Sequence, residues 1–325
     1  MTTARPAVLV TRRLPEAVEH ELAGLFDVTL NRDDTPLDSA QLRDALGRHD
    51  GLLCTVTDRI GAAVLDAEPL RTRILANFGV GFEHIDRAAA AARGIVVTNT
   101  PGVLTDDTAD LAITLLLMAA RRTGEGERLV RSGGWDGWRP THHLGTRVTG
   151  KTLGIVGFGR IGRATAERAR AGFGMRILVH TRRPPEPAEA QRLGVQVCGS
   201  LDELLAAADF VSLHVASTPE TRHLIDSAAL RAMRPHAILI NTARGEVVDE
   251  AALAAALRDR RIDAAALDVY EREPQVHPDL LELENVVLLP HLGSATIEAR
   301  EAMGRRAVAN LRAFFSGEAV PDPVK

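Results

Sequence analysis

A chain of 325 residues, 45% hydrophobic and 25% charged, has the composition of a globular protein and the length for two cores. Its 39 basic residues face 43 acidic ones, for a net charge of -4, and aromatics make up only 3%. That balance excludes both the electrostatic footprint of a nucleic-acid binder and a base-stacking platform.

The N-terminal apolar run, Ala7 to Val10, is too short for a signal peptide and reads as a first strand. Up to about residue 100, "AVLV", "DGLLCT", "RILANFG" and "GIVVTN" read as strands, with "PEAVEHELAGLF", "DSAQLRDAL" and "IDRAAAAARG" as the helices between them. Such βαβ alternation builds a parallel sheet covered by helices. "TDDTADLAITLLLMAARR" follows as a long apolar helix, with Thr105 placed to cap it and Asp106 and Asp107 at the positive end of its dipole. Its apolar surface is too wide for one face, which predicts a place between domains or subunits. Residues 124–150 read as an irregular stretch and hold both tryptophans, Trp135 and Trp138.

A second βαβ series runs from Lys151 to about Pro290, and the helix "IEAREAMGRRAVANLRAFFSG" then returns to the first domain. The expected fold class is α/β, with two Rossmann-like, doubly wound parallel-sheet domains and the cofactor domain inserted into the substrate domain. The limits expected are 1–101 with 291–325 for a flavodoxin-like substrate domain, and 102–290 for the dinucleotide domain. The two cysteines, Cys54 and Cys198, have neither a metal-type nor a redox-type spacing, and the histidines are too scattered for a metal site. A reducing cytoplasm, no membrane and no metal are expected.

"KTLGIVGFGRIGRATAERARAG" sets Gly157, Gly159 and Gly162 in a G-x-G-x-x-G frame between a strand and a helix beginning near Arg160. That setting separates a dinucleotide site from a bare glycine turn. Gly157 permits the turn, Gly159 lets backbone approach a pyrophosphate, and Gly162 lets helix and strand pack closely. The backbone around Phe158, Arg160 and Ile161 offers donors at the positive end of the helix. The next strand, "MRILVH", ends in Thr181, Arg182 and Arg183, where an acid for the ribose hydroxyls of NAD is expected. A hydroxyl and two guanidiniums suit a 2′-phosphate instead, unless both arginines are simply solvated. NADP(H) is the expected cofactor, with NAD(H) as the second choice.

Three polar residues then follow three apolar, strand-like runs. Arg244 comes after Ala237 to Ile240, Glu273 sits in "AAALDVYEREP", and His291 in "NVVLLPHLGSAT". Each group falls at the C-terminal end of its strand, where open parallel sheets build their sites. A guanidinium, a carboxylate and an imidazole together can hold an acid anion and move a proton beside it.

With the glycine loop, the motifs "NFGVGFEHID", "TPGVLTDDTADLAI", "HVASTPETRHLI", "NTARGEVVDE", "LDVYEREP" and "PHLGSAT" resemble the NAD(P)-dependent D-2-hydroxyacid dehydrogenase family over nearly the whole chain. "WDGWRPTHHLGTRVTGKTLGIVGFGRIG" and the Thr-Arg-Arg ending are most similar to its glyoxylate/hydroxypyruvate reductases (D-glycerate dehydrogenases). The resemblance implies that Arg244 binds the substrate carboxylate and carbonyl, that His291 donates the proton, and that Glu273 pairs with His291. It implies that Val80 and Gly81 hold substrate through backbone N–H groups. It also places Asp268, Thr242, Ala243, Thr108, Val215 and Thr218 on the cofactor, and makes His214 structural beside the adenosine.

Ser294 reads either as a substrate contact or as the cap of the last helix. Trp138 resembles a tryptophan that reaches a partner subunit's site in related reductases; an interface or core aromatic is the plainer reading. His142 and His143 read as surface or interface residues. The expectation is a homodimeric, NADPH-preferring oxidoreductase that reduces glyoxylate to glycolate and hydroxypyruvate to D-glycerate. A phosphoglycerate-type or broader 2-keto-acid enzyme is the alternative, and a dinucleotide-sensing, corepressor-like binding protein is another. The ending at Lys325 without a further regulatory domain speaks against the larger biosynthetic forms, and the intact trio speaks for an enzyme.

Overall fold

Each apolar run singled out above forms a strand, and every pairing between named strands is parallel. The computed structural model describes residues 5–324; Met1 to Ala4 and Lys325, the outer limits of the expected substrate domain, lie outside the described residues. The chain divides into two units, with Thr105–Ser294 inserted into a first unit that ends at Leu104 and resumes at Ala295. His291 and Ser294 therefore travel with the inserted unit, a few residues beyond the limit drawn from sequence.

The first unit holds β1 (Ala7–Val10), β2 (Asp27–Leu30), β3 (Gly51–Thr55), β4 (Ile74–Phe78) and β5 (Val96–Thr98). Their order, β2-β1-β3-β4-β5, is the flavodoxin-like one. Alternating side chains fill two cores. Leu52, Leu75 and Val97 pack with Leu42 and Leu46 on one face, and Val8, Val10, Leu53 and Ala76 pack with Val18, Leu22 and Leu311 on the other. The helix Ile297–Phe315 lies on β4 and on the helix Glu16–Leu25, so it does return to the first unit. Thr296 is its N-cap, accepting from Ala299 N at 3.0 Å, which removes the capping reading of Ser294.

The inserted unit holds β6 (Thr152–Val156), β7 (Arg176–His180), β8 (Val195–Val197), β9 (Phe210–Leu213), β10 (Ile238–Asn241), β11 (Ala264–Leu267) and β12 (Val286–Leu288). The order is β12-β11-β10-β9-β6-β7-β8, so the order in which the chain lays down its parallel strands reverses between β6 and β9. Leu153, Ile155, Ile177 and Ile240 face Leu115 and Leu116 of the helix Thr105–Ala120. Val156, Val211 and Leu239 face Leu204, Leu230 and Leu253 on the opposite side. The helix Thr105–Ala120 thus covers the inserted unit's own sheet, while Leu111, Ile113 and Leu117 stay half-buried. Thr105 is its first helical residue, not the residue before it.

Three elements depart from the sequence reading, the first of them the short helix Ala62–Leu65 between β3 and β4. β2, "DVTL", is an edge strand whose residues alternate between exposed and half-buried, so it carries no apolar run. Thr123–Arg131, read as irregular, is helical although it buries no residue. Among the described residues no helix is long and apolar enough to cross a membrane, and no cluster of three His, Cys, Asp or Glu could hold a metal.

Candidate active site

The reversal between β6 and β9 opens a crevice at the C-terminal edge of the sheet, and the glycine loop fills one side of it. Gly157 turns the chain at φ 92, where a Cβ would lie 2.5 Å from the carbonyl oxygen of His214 and 2.7 Å from Val215. Gly162 is equally confined, since its Cβ would sit 2.3 Å from the carbonyl oxygen of Gly157. In front of Gly159 there is nothing within 4 Å of a Cβ. Gly159 is the N-cap of the helix Arg160–Phe173 and supplies no side-chain hydrogen bond, so the first N–H groups of that helix are left for an anion. A nicotinamide dinucleotide fits this cradle: close packing behind, open space in front, and unspent donors at a helix N-terminus.

Around the cradle, Val215 abuts Gly157, and Thr218 N donates to Thr221 Oγ1 at 2.8 Å, closing the turn after β9. His214 bonds Ser212 at 2.9 Å, and burial lowers its pKa to about 4, so it is a neutral structural group. Thr181 follows β7 directly, with Arg182 and Arg183 both exposed. Arg182 lies close enough to Glu220 for its charge to help, after a hydrogen bond from Thr218, in holding that carboxylate below its ordinary range. Sequence reasoning missed Arg163, which stacks 4.9 Å above the Phe158 ring and binds Glu189 at 2.8 Å, stiffening the loop from outside.

The trio assembles on adjacent loops of this same edge. His291 Nδ1 donates to Glu273 Oε2 at 2.8 Å, which leaves Nε2 as the nitrogen for proton exchange. The other Glu273 oxygen accepts from Tyr270 N at 3.1 Å, so the carboxylate is held at both ends. Burial pushes Glu273 up, but the bond and charge of His291, the Tyr270 N–H and the Arg244 charge outweigh it and leave its pKa below the usual carboxylate value. Both side chains are about one-third exposed, as groups that meet a substrate must be.

Asp268 shapes the His291 loop. Its carbonyl accepts from His291 N at 2.9 Å, and its carboxylate accepts from Leu292 N at 2.6 Å and Gly293 N at 2.8 Å. Burial raises its pKa, and those two N–H groups and the nearby imidazole oppose the rise. Thr108 is buried and donates its hydroxyl proton to the carbonyl of Gly293 at 2.8 Å, so its one donor is used inside the protein. Sequence gave neither of these tasks.

Arg244 follows β10 in a turn built by Asn241, whose side chain accepts from Ala243 N at 3.0 Å and donates to the carbonyl of Arg244 at 2.9 Å. Thr242 and Ala243 lie inside that turn. Gly245, next to Arg244, passes so close to the second loop that a Cβ would stand 1.8 Å from the carbonyl carbon of Tyr270. Only glycine fits there, and it brings the loops of Arg244 and Glu273 into backbone contact. Tyr270 donates its hydroxyl to the carbonyl of Leu289 at 2.8 Å, tying the loop of Glu273 to the strand end before His291.

Val80 and Gly81 belong to the first unit, in the turn after β4. Asn99 Nδ2 donates to the carbonyl of Val80 at 2.8 Å, and Asn77 Nδ2 to that of Gly81 at 2.8 Å, so the turn is fixed by its carbonyls. Ser294, buried, is the last residue of the inserted unit. Trp138 is 81% exposed, which removes the core reading. A cavity of about 230 Å³ lined by Met118, Arg122, Glu125, Leu144, Asp263 and Glu284 includes none of the site residues.

A dinucleotide cradle beside an imidazole–carboxylate pair and an arginine is the equipment of an oxidoreductase. The comparisons agree. Residues 113–293 match the family described as D-isomer specific 2-hydroxyacid dehydrogenase, NAD binding domain. The glyoxylate reductase of Thermococcus litoralis is 46% identical over 98% of this chain and 97% of its own. A Thermus thermophilus protein of known structure superposes with a TM-score of 0.91 at 44% identity, covering 98% of this chain and 100% of that one. An NADPH-dependent glyoxylate/hydroxypyruvate reductase of Sinorhizobium meliloti, solved with NADP and malonate, superposes with a TM-score of 0.87 at 39% identity over 99% and 97%. The chain belongs to the D-isomer specific 2-hydroxyacid dehydrogenase family.

Proposed function

We propose that the chain is an NADPH-preferring reductase of small 2-keto acids, glyoxylate and hydroxypyruvate foremost, yielding glycolate and D-glycerate. The observation that carries this reading is the His291–Glu273 hydrogen bond, set beside Arg244 at the edge of a dinucleotide sheet. A reduced nicotinamide dinucleotide, when bound, supplies the hydride. Arg244 pairs with the substrate carboxylate and polarises the carbonyl through its planar fork. His291, held by Glu273 at Nδ1, gives the proton at Nε2 to the carbonyl oxygen as negative charge develops there. Glu273, its pKa held below the ordinary carboxylate value, is ionised at neutral pH and fixes the ring by accepting from Nδ1, which leaves Nε2 to the substrate. Val80 and Gly81 hold the substrate carboxylate through backbone N–H groups.

Thr181, half-buried, and the exposed Arg182 and Arg183 support a preference for a 2′-phosphate, and the Sinorhizobium relative is named for NADPH. The relatives named for glyoxylate support the substrate class. The protein works as a homodimer, with Trp138 at the contact.

Steady-state rates on a panel of 2-keto acids with both cofactors test the reading. Glyoxylate and hydroxypyruvate should give the highest kcat/KM with NADPH. Arg182→Ala should lower kcat/KM for NADPH by roughly tenfold or more while sparing NADH, the worth of one charged hydrogen bond. A wild-type preference for NADH, or silence across the panel, would overturn it.

A further inference from the structure

The inserted unit contains a second imidazole–carboxylate pair outside the trio. His223 Nε2 donates to Glu271 Oε1, two residues before Glu273. The backbone of His223 serves a different loop: its N–H donates to the carbonyl of Glu246 at 2.7 Å, two residues after Arg244. From there the chain runs beside that loop, with Ile225 N donating to Val247 O at 3.0 Å and Asp249 N donating to Ile225 O at 3.1 Å. One residue thus grips the Arg244 loop by its main chain and the Glu273 loop by its ring. Glu250 adds a second link, accepting from Glu271 N at 2.8 Å through a buried carboxylate. His223 holds this position at φ 50, in the left-handed region that side chains other than those of Asn, Asp and His rarely visit.

We propose that His223 and Glu271 form a positioning clasp, which sets the Arg244 and Glu273 loops in register for the reduction. It rests on the roles assigned above to Arg244 and Glu273. Gly245 explains why a clasp is needed. The two loops touch there through bare backbone with no side chain to interlock, so their register depends on ties at the flanks. The clasp touches neither substrate nor cofactor, and its effect passes through Glu273 to His291 and through the turn to Arg244.

The test uses His223→Asn, which keeps a residue tolerant of the left-handed backbone but cannot reach Glu271, and Glu271→Ala, which removes the acceptor. Each should lower kcat with glyoxylate roughly tenfold and raise its KM, as a small misplacement of catalytic groups does, while the Kd for NADPH stays unchanged. The double variant should be no worse than either single, since both delete one tie. Glu271→Gln should recover most of the rate, because its amide oxygen still accepts from Nε2. In a Glu273→Gln background, His223→Asn should cost kcat less than it does in the parent, because only the part that passes through the Arg244 turn remains. Parental kinetics in the singles, additive losses in the double, or a loss of NADPH affinity in step with kcat would each overturn the clasp. Full turnover in Glu273→Gln alone would overturn the reading of the site and the clasp with it. An impaired Glu273→Gln beside an unimpaired His223→Asn overturns the clasp only.

Discussion

At φ 55 the backbone of His291 lies in the left-handed region, where a residue with a Cβ is strained by about 1–2 kcal/mol. Three hydrogen bonds hold it there, all to Asp268: one from His291 itself and one each from Leu292 and Gly293. The strained turn directs the ring so that Nδ1 meets Glu273. This decides how the residue should be tested. His291→Ala removes the imidazole and leaves a residue poorly suited to the turn, so a loss could come from either cause. Asn accepts the left-handed conformation, keeps a polar side chain and cannot exchange a proton near neutral pH. His291→Asn should therefore lower kcat for glyoxylate by about a hundredfold or more while the Kd for NADPH changes little, which fluorescence titration beside turnover will read. Near-normal turnover would remove His291 as the acid.

At the scale of elements, the strands that build the site were legible because they are continuous apolar runs buried on both faces, as β6 and β10 are. Arg244 and His291 were legible because each closely follows such a run, whereas Glu273 lies beyond Asp268 and Glu271 in the loop after β11 and was singled out by the family resemblance. What escaped is either exposed or distant in sequence. β2 alternates exposed and half-buried residues, and the helix Thr123–Arg131 buries none of its side chains. The pairing of His223 with Glu271 spans 48 residues, and no local periodicity reports it. Asp209, just before β9, is a further case, and a testable one. Its side chain, 7% exposed, accepts from Thr152 N at 2.9 Å, His236 Nε2 at 2.9 Å and Arg234 at 3.1 Å, locking β6 to β9 and to the loop before β10. Burial raises its pKa, but the Thr152 N–H, His236, Lys151 and Arg234 more than reverse this and hold it below its ordinary value. A depressed carboxylate stabilises the fold fully above its unfolded pKa of about 3.9 and loses that contribution as pH falls through the folded value. Asp209→Asn should then cost about 1–3 kcal/mol at pH 7, and its deficit in Tm should narrow below about pH 4. A deficit independent of pH would refute the assignment.

For the molecule as a whole, the apolar surface left uncovered is unevenly spread along the chain. Val130, Trp135, Trp138 and Leu144 are all more than half exposed and fall within one segment, around a helix that buries nothing of its own. Large exposed hydrophobics standing singly need no explanation, but a run of them marks a contact surface. Its aromatics are of the kind that anchor interfaces. A helix without a buried face also gains little from propensity alone, so a partner is what would hold Thr123–Arg131 in shape. The proposed homodimer supplies that partner, and sedimentation should give twice 35.0 kDa. Two variants separate the duties of the segment. Val130→Asp places a charge in the contact and should shift the protein to the monomer mass. Trp138→Ala distinguishes an interface anchor from a residue that completes a neighbour's site. An anchor alone would show as dissociation with little change in KM for the remaining dimer. A tryptophan that reaches the other active site would show as a raised KM for glyoxylate at unchanged mass. A parent chain that sediments at 35.0 kDa with full activity would refute the dimer, leaving the exposed tryptophans without a role in the reaction.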